Sequence, residues 1–204
     1  MSLIHFLSWR RGILVLAVAS LLTFSAIELL SDEPEIALVI GEPYEAMRQR
    51  SSASIGPAIP GHSWFVIPRS DARLRFIDPT HGFVTPLARF LTVMYDDERI
   101  GSVRMSPQTE PLLLDDTLKV ILDLQDQWRN AGWVPIRVEE FPTFADTPQW
   151  RAQLRDVNQG GKTYWHAGNQ YQVMLVVNRF KDKKRPTEER YLIKLSLATP
   201  WTNP

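Results

Sequence analysis

Sixteen consecutive residues, Gly12 to Ile27 (GILVLAVASLLTFSAI), carry no charge, and this run constrains the rest of the chain more than any other feature. As a helix it would rise roughly 24 Å. Counted past Glu28 to Leu30 it reaches 19 residues, close to what a ~30 Å hydrocarbon core requires. Arg10 and Arg11 stand before it, and Asp32, Glu33 and Glu35 follow it. The positive-inside bias then keeps the amino terminus cytoplasmic and exports the remainder. Trp9 falls where an interfacial aromatic belongs. The expected layout is a cytoplasmic start at 1–11, a single-pass anchor at 12–30, an exit linker at 31–41 and one exported domain at 42–204. A cleaved signal peptide has the same charge pattern, with Thr23 and Ser25 as the small residues of a cleavage site.

Composition narrows what the exported part can be. The 204 residues hold no cysteine, so disulfides, thiolate zinc sites, iron–sulfur clusters and cysteine nucleophiles are excluded together. That fits a bacterial inner-membrane protein whose carboxy-terminal domain is periplasmic. Removing Arg10, Arg11 and Glu28 from 23 residues of each sign leaves 21 basic and 22 acidic. Nucleic-acid binders carry a basic excess, and none exists here.

Along the exported chain, Glu42–Arg50 reads as a helix with Pro43 in its first turn. Residues 51–63 mix Ser, Gly and Pro as a loop, and Trp64–Pro68 reads as a short buried strand. Leu74–Ile77 offers another. Two β-rich runs between Phe90 and Met105, split by Asp96–Arg99, predict a hairpin. Leu118, Ile121, Leu122 and Trp128, widened by Val120 and Leu124, predict a helix over about 116–131, with Asp115 or Asp116 as cap and Gly132 closing it. Val134–Val138 returns as a strand. A second helix opens at Thr147–Pro148 and closes near Gly160–Gly161. Residues 171–177 and 191–197 alternate apolar with mixed positions, the pattern of a long hairpin with one covered face. The fold class is therefore α+β, an antiparallel sheet with the 116–131 helix packed on one face.

The candidate chemical motifs each have a structural alternative. Gly160-Gly161-Lys162-Thr163 resembles the end of a phosphate loop, but Asp156 stands where the pattern needs Gly, so a glycine turn is expected and no nucleotide. His62, His81 and His166 lack metal-ligand spacing, so no metal or other cofactor is expected. Ser63 lacks the second glycine of a nucleophile elbow. Glu139–Glu140 is the carboxylate pair without an obvious capping or turn role. An anchored envelope hydrolase would have to assemble its site from His62, Ser63, His81, His166 and Glu139. The alternative expectation is a protein-binding module without catalytic activity. An immunity protein neutralising an antibacterial effector and an envelope-assembly factor share this layout. Its partner would be another envelope or effector protein. The expected contact residues are Tyr164, Trp165, His166, Asn169 and Tyr171, placed ahead of a strand on a loop, and Lys183, Lys184 and Arg185 at the tip of the last hairpin.

Overall fold

Two sheets and three helices make up the described part of the chain, residues 33–202 of a computed structural model, as a mixed α+β fold. The expected anchor at 12–30 lies outside the described residues. Among those residues, no helix is long and apolar enough to cross a membrane.

The chain runs β1 (Glu35–Leu38), α1 (Tyr44–Arg50), β2 (Trp64–Val66), β3 (Arg73–Phe76), β4 (Phe83–Val84), β5 (Phe90–Asp96), β6 (Arg99–Ser106) and α2 (Leu114–Asn130). It continues through β7 (Val134–Ile136), α3 (Pro148–Arg155), β8 (Gly161–Ala167), β9 (Tyr171–Phe180) and β10 (Arg190–Ala198). A seven-stranded antiparallel sheet has the order β2-β5-β6-β10-β9-β8-β7. A small sheet, β1-β3-β4, pairs β1 with β3 in parallel.

The β5–β6 hairpin turns through Asp97 and Glu98, both left-handed at φ 44° and 63°. Two such residues in a row match the twist of the flanking strands. The helix α2 buries Leu114, Thr117, Leu118, Ile121, Leu124, Gln125 and Trp128, a stripe with three- and four-residue spacing. That stripe packs against β10 and β4. Gly132, at φ 72°, ends the helix: its N–H donates to Arg129 and the Trp133 N–H donates to Trp128 O at 2.9 Å. Paired backbone donors of this kind satisfy the last carbonyls of a helix.

Five expectations change. Residues 35–38, expected within an exit linker, form β1, because Ile36 and Leu38 alternate into the core and are fully buried. Trp64–Val66 is a strand but an exposed edge rather than a buried one. Gly161–Ala167, expected as the close of a helix and a loop, is β8. The helix ends at Arg155, and Gly160 turns the chain at φ 80°. A Cβ on Gly161 would collide with the Phe144 and Trp150 rings, so glycine there serves packing, not phosphate. Within α2 the expected face is rotated slightly: Leu122 is half-buried, and Gln125 and Thr117 are inside. The helix begins at Leu114, so Asp115 and Asp116 sit in its first turn and favour its dipole instead of capping it.

Buried and half-buried glutamines stand in for missing strand neighbours. The Gln125 amide donates to Phe144 O and accepts from Phe144 N, both at 2.9 Å. Gln108 donates to Glu110 O and Tyr191 O and accepts from Ile193 N at 2.8 Å. Gln127 exchanges the same pair of bonds with Val84. A side-chain amide has the donor and acceptor of a peptide group. Each glutamine therefore fastens an irregular segment to a regular one.

Candidate binding face

Strand alternation divides the seven-stranded sheet into two faces. The inner one carries Val103, Met105, Ile193, Leu195, Leu197, Val173, Leu175 and Trp165, all within the main core. Helix α2 and the small sheet cover this side: Trp128 meets Trp165 at 5.6 Å between ring centroids, and Phe83 meets Trp128 at 5.8 Å.

The outer face is partly covered at one end only. Beyond β8, Phe141 packs edge-on against Tyr164 at 5.1 Å, and the Lys162 ammonium lies 4.7 Å from the Phe141 ring centre. Over β9, the carboxy-terminal segment is pinned on Gln172, which is fully buried. Gln172 Oε1 accepts from Trp201 N at 2.8 Å and Thr202 N at 3.0 Å, and its Nε2 donates to the Thr202 hydroxyl. The turn after β7 is held by Arg137, which is left-handed at φ 52°, pairs with Glu140 and stacks over Phe141 at 4.9 Å. Glu139 is exposed in that turn.

Between the Trp201 segment and β5 the outer face is open. A trough of about 330 Å³ is lined by Ser102, Arg104, Met174, Ser196, Thr199 and Trp201, among others. Arg104 pairs in register with Ser196 on one side and Thr92 on the other. Among the described residues, its guanidinium has no counter-ion or hydrogen-bond partner, nor do the Ser102 and Ser196 hydroxyls. Strands β6, β8, β9 and β10 contain no Asp or Glu at all. Their outward charges are therefore cationic.

One strand further out the chemistry becomes apolar. Phe65 pairs with Met94, and Trp64 stacks on Phe65 with ring centroids 5.4 Å apart. Trp64 is 53% exposed, Phe65 46%, Phe90 51% and Ile67 46%. Scattered exposed apolar residues are ordinary, whereas neighbouring ones make a candidate contact surface. Only the sheet topology brings Trp64–Ile67 beside Phe90–Met94.

The residues expected from sequence to make contact are dispersed by the fold. Trp165 is fully buried in the core, with the Arg129 guanidinium 5.4 Å from its ring centre. Tyr164 and His166 lie on the outer face of β8, each only 7% exposed. Tyr171 is half-buried at the start of β9, and Asn169 is exposed in the turn before it. Lys183 and Lys184 are exposed at the β9–β10 tip, and Arg185 pairs with Glu110 at 3.0 Å. The alternation that hides Trp165 is that of a strand, which is why reading the segment as a loop misplaced its side chains.

The raw catalytic candidates are not joined to one another. His62 Nδ1 donates to its neighbour Pro60 O at 2.9 Å, and the Ser63 hydroxyl donates to Asp96. His81 Nδ1 donates to Ala131 O at 2.8 Å, with its ring against Trp133 and Tyr171. Beside it, Asp78 accepts from the His81 and Thr80 amides and from the Tyr171 hydroxyl at 3.1 Å. Burial alone would raise the Asp78 carboxyl, but the two amides, then the hydroxyl, hold it below its ordinary value. Burial first, and then the same contact, push the Tyr171 hydroxyl up. This node ties the β3–β4 loop to β9. Among the described residues, no group of three or more His, Asp or Glu is placed to hold a metal.

No protein-family model, curated protein or solved structure matches this chain.

Proposed function

We propose that this chain is a non-enzymatic protein-binding module, anchored through residues 12–30 in a bacterial inner membrane with its folded domain in the periplasm. Its partner is another envelope protein or an effector that it neutralises. The observation supporting this reading is the exposed apolar strip at the β2–β5 edge, where Phe65 pairs with Met94 and shares the outer face with Phe90, with Trp64 stacked beside it. Aromatic side chains supply large contact area for little lost conformational freedom, and a few of them dominate the energy of most interfaces. The charge asymmetry around 12–30 supports the address.

The full chain, tagged and purified from membranes after mild cross-linking, is expected to co-elute with a stoichiometric partner. Phe65→Ser with Phe90→Ser should abolish that capture while leaving a folded protein. Undiminished capture by this double variant would contradict the assignment of the face. A periplasm-active reporter fused after Pro204 should be functional and one fused after Arg11 inactive; the reverse result would contradict the topology.

A further inference from the structure

The trough beside the aromatic strip holds a cation that has no counter-ion among the described residues, and its surroundings indicate what would supply one. We propose that it binds an extended acidic–apolar segment of the partner, with a carboxylate on Arg104 and the side chain two residues away on the Phe65–Met94 strip; this deepens the protein-binding reading and rests on it.

Charge sets the ligand's sign. Arg104 is unpaired among the described residues, Lys194 is exposed on the neighbouring strand, and the four central strands carry no carboxylate. A partner's Asp or Glu meets only cations there, which favours both encounter and orientation. Ser102 and Ser196, whose hydroxyls have no partners of their own among the described residues, line the same trough as Arg104 and can donate to the same carboxylate. Charge-assisted bonds of this type are about twice as strong as neutral ones.

Spacing sets the ligand's shape. Arg104 pairs with Thr92, and Met94 is the diagonal neighbour on the same face, about 7–8 Å away. Side chains two residues apart on an extended chain point the same way at ~6.6 Å separation. One segment can therefore reach both subsites at once. A bilayer is a poorer fit, because a flat headgroup layer cannot enter a concavity of about 330 Å³ walled by Trp201.

The test uses the full chain in detergent with ¹³C-methyl methionine. Met174 lines the trough and Met94 lies on the strip, whereas Met47 and Met105 are buried and report the fold. The probes are acetyl-Asp-Ser-Phe-Ser-amide and its Asn counterpart. The Asp peptide is expected to shift Met174 and Met94 saturably and leave Met47 and Met105 unmoved. Replacing Asp by Asn in the probe, or making Arg104→Gln in the protein, should weaken binding about tenfold or more. Silence of Met174 towards the Asp peptide overturns the proposal. So does an equal response to sodium acetate, which marks a simple anion site, or an Arg104-dependent response to phosphatidylglycerol vesicles alone, which marks a membrane contact. If Arg104→Gln still captures the partner from membranes, the trough assignment fails while the protein-binding reading stands. If the unmodified chain captures nothing, the reading itself fails.

Discussion

The two faces of the seven-stranded sheet are built from the same strands and differ in almost everything else. The inner one is apolar, covered by α2 and the small sheet, and closed by glutamine amides. The outer one is cationic in the middle, aromatic at the β2–β5 edge and covered only over β8 and β9. Side chains alternate along each strand, so the difference is written residue by residue. What it teaches is a division of labour. Substitutions inward should change stability, and substitutions outward should change binding.

The strongest way to break that contrast is from inside. Trp128 is fully buried between Phe83 and Trp165. Trp128→Ala should cost about 3–5 kcal/mol by urea denaturation. Leu122→Ala, on the half-buried flank of the same helix, should cost well under half of that. Equal losses would mean that the covered face is not where α2 meets the sheet.

Gln172 sits on the boundary, an outward residue that is nonetheless fully buried. Gln172→Ala strands the Trp201 and Thr202 amides and should cost on the order of 1–3 kcal/mol. It should also release the wall of the trough, read as increased proteolysis after residue 198. Loss of stability without that cleavage would show that the carboxy-terminal segment is held by other contacts.

The Asp78 node adds a pH test of the covered side. Its carboxyl is held below the ordinary value of 3.8, so the node's stabilisation is present above that value and is lost as pH falls through the lower, folded one. From about pH 5 down to about pH 2 the parent chain should lose more stability than Asp78→Asn. Urea midpoints across that range decide it; parallel curves would remove Asp78 from the accounting.

Outward changes should be the mildest for folding. Phe65→Ser and Phe90→Ser are each expected within about 0.5 kcal/mol of the parent by thermal melt, with partner capture lost. A destabilisation comparable to that of Trp128→Ala would make the strip part of a core and not a surface.

Much of the fold was legible because period and punctuation agree. The α2 stripe, Gly132 and the alternation of 171–177 with 191–197 each have a local physical cause. The sequence also separated a mixed strand face, Gln172, Met174, Lys194 and Ser196, from the apolar one. What it could not show was non-local. β1 was hidden because four residues, EIAL, carry too little pattern to stand apart from a linker. β8 was hidden because Tyr164, Trp165 and His166 are all buried, so alternation is masked by cover on both sides. The candidate face joins Phe65, Met94, Arg104, Ser196 and Trp201, which lie on separate segments that only strand order brings together. No spacing in the chain announces that set.

The most direct measurement is hydroxyl-radical footprinting of the full chain in its own membranes against the same chain purified in detergent. Met47, Met105 and Trp128 should be unmodified in both, because the core is closed to solvent. Phe65, Phe90, Met94 and Trp201 should be modified in detergent and protected in the membrane preparation, where the partner covers the open face. Equal modification of those four residues in the two preparations would contradict a bound partner on this face.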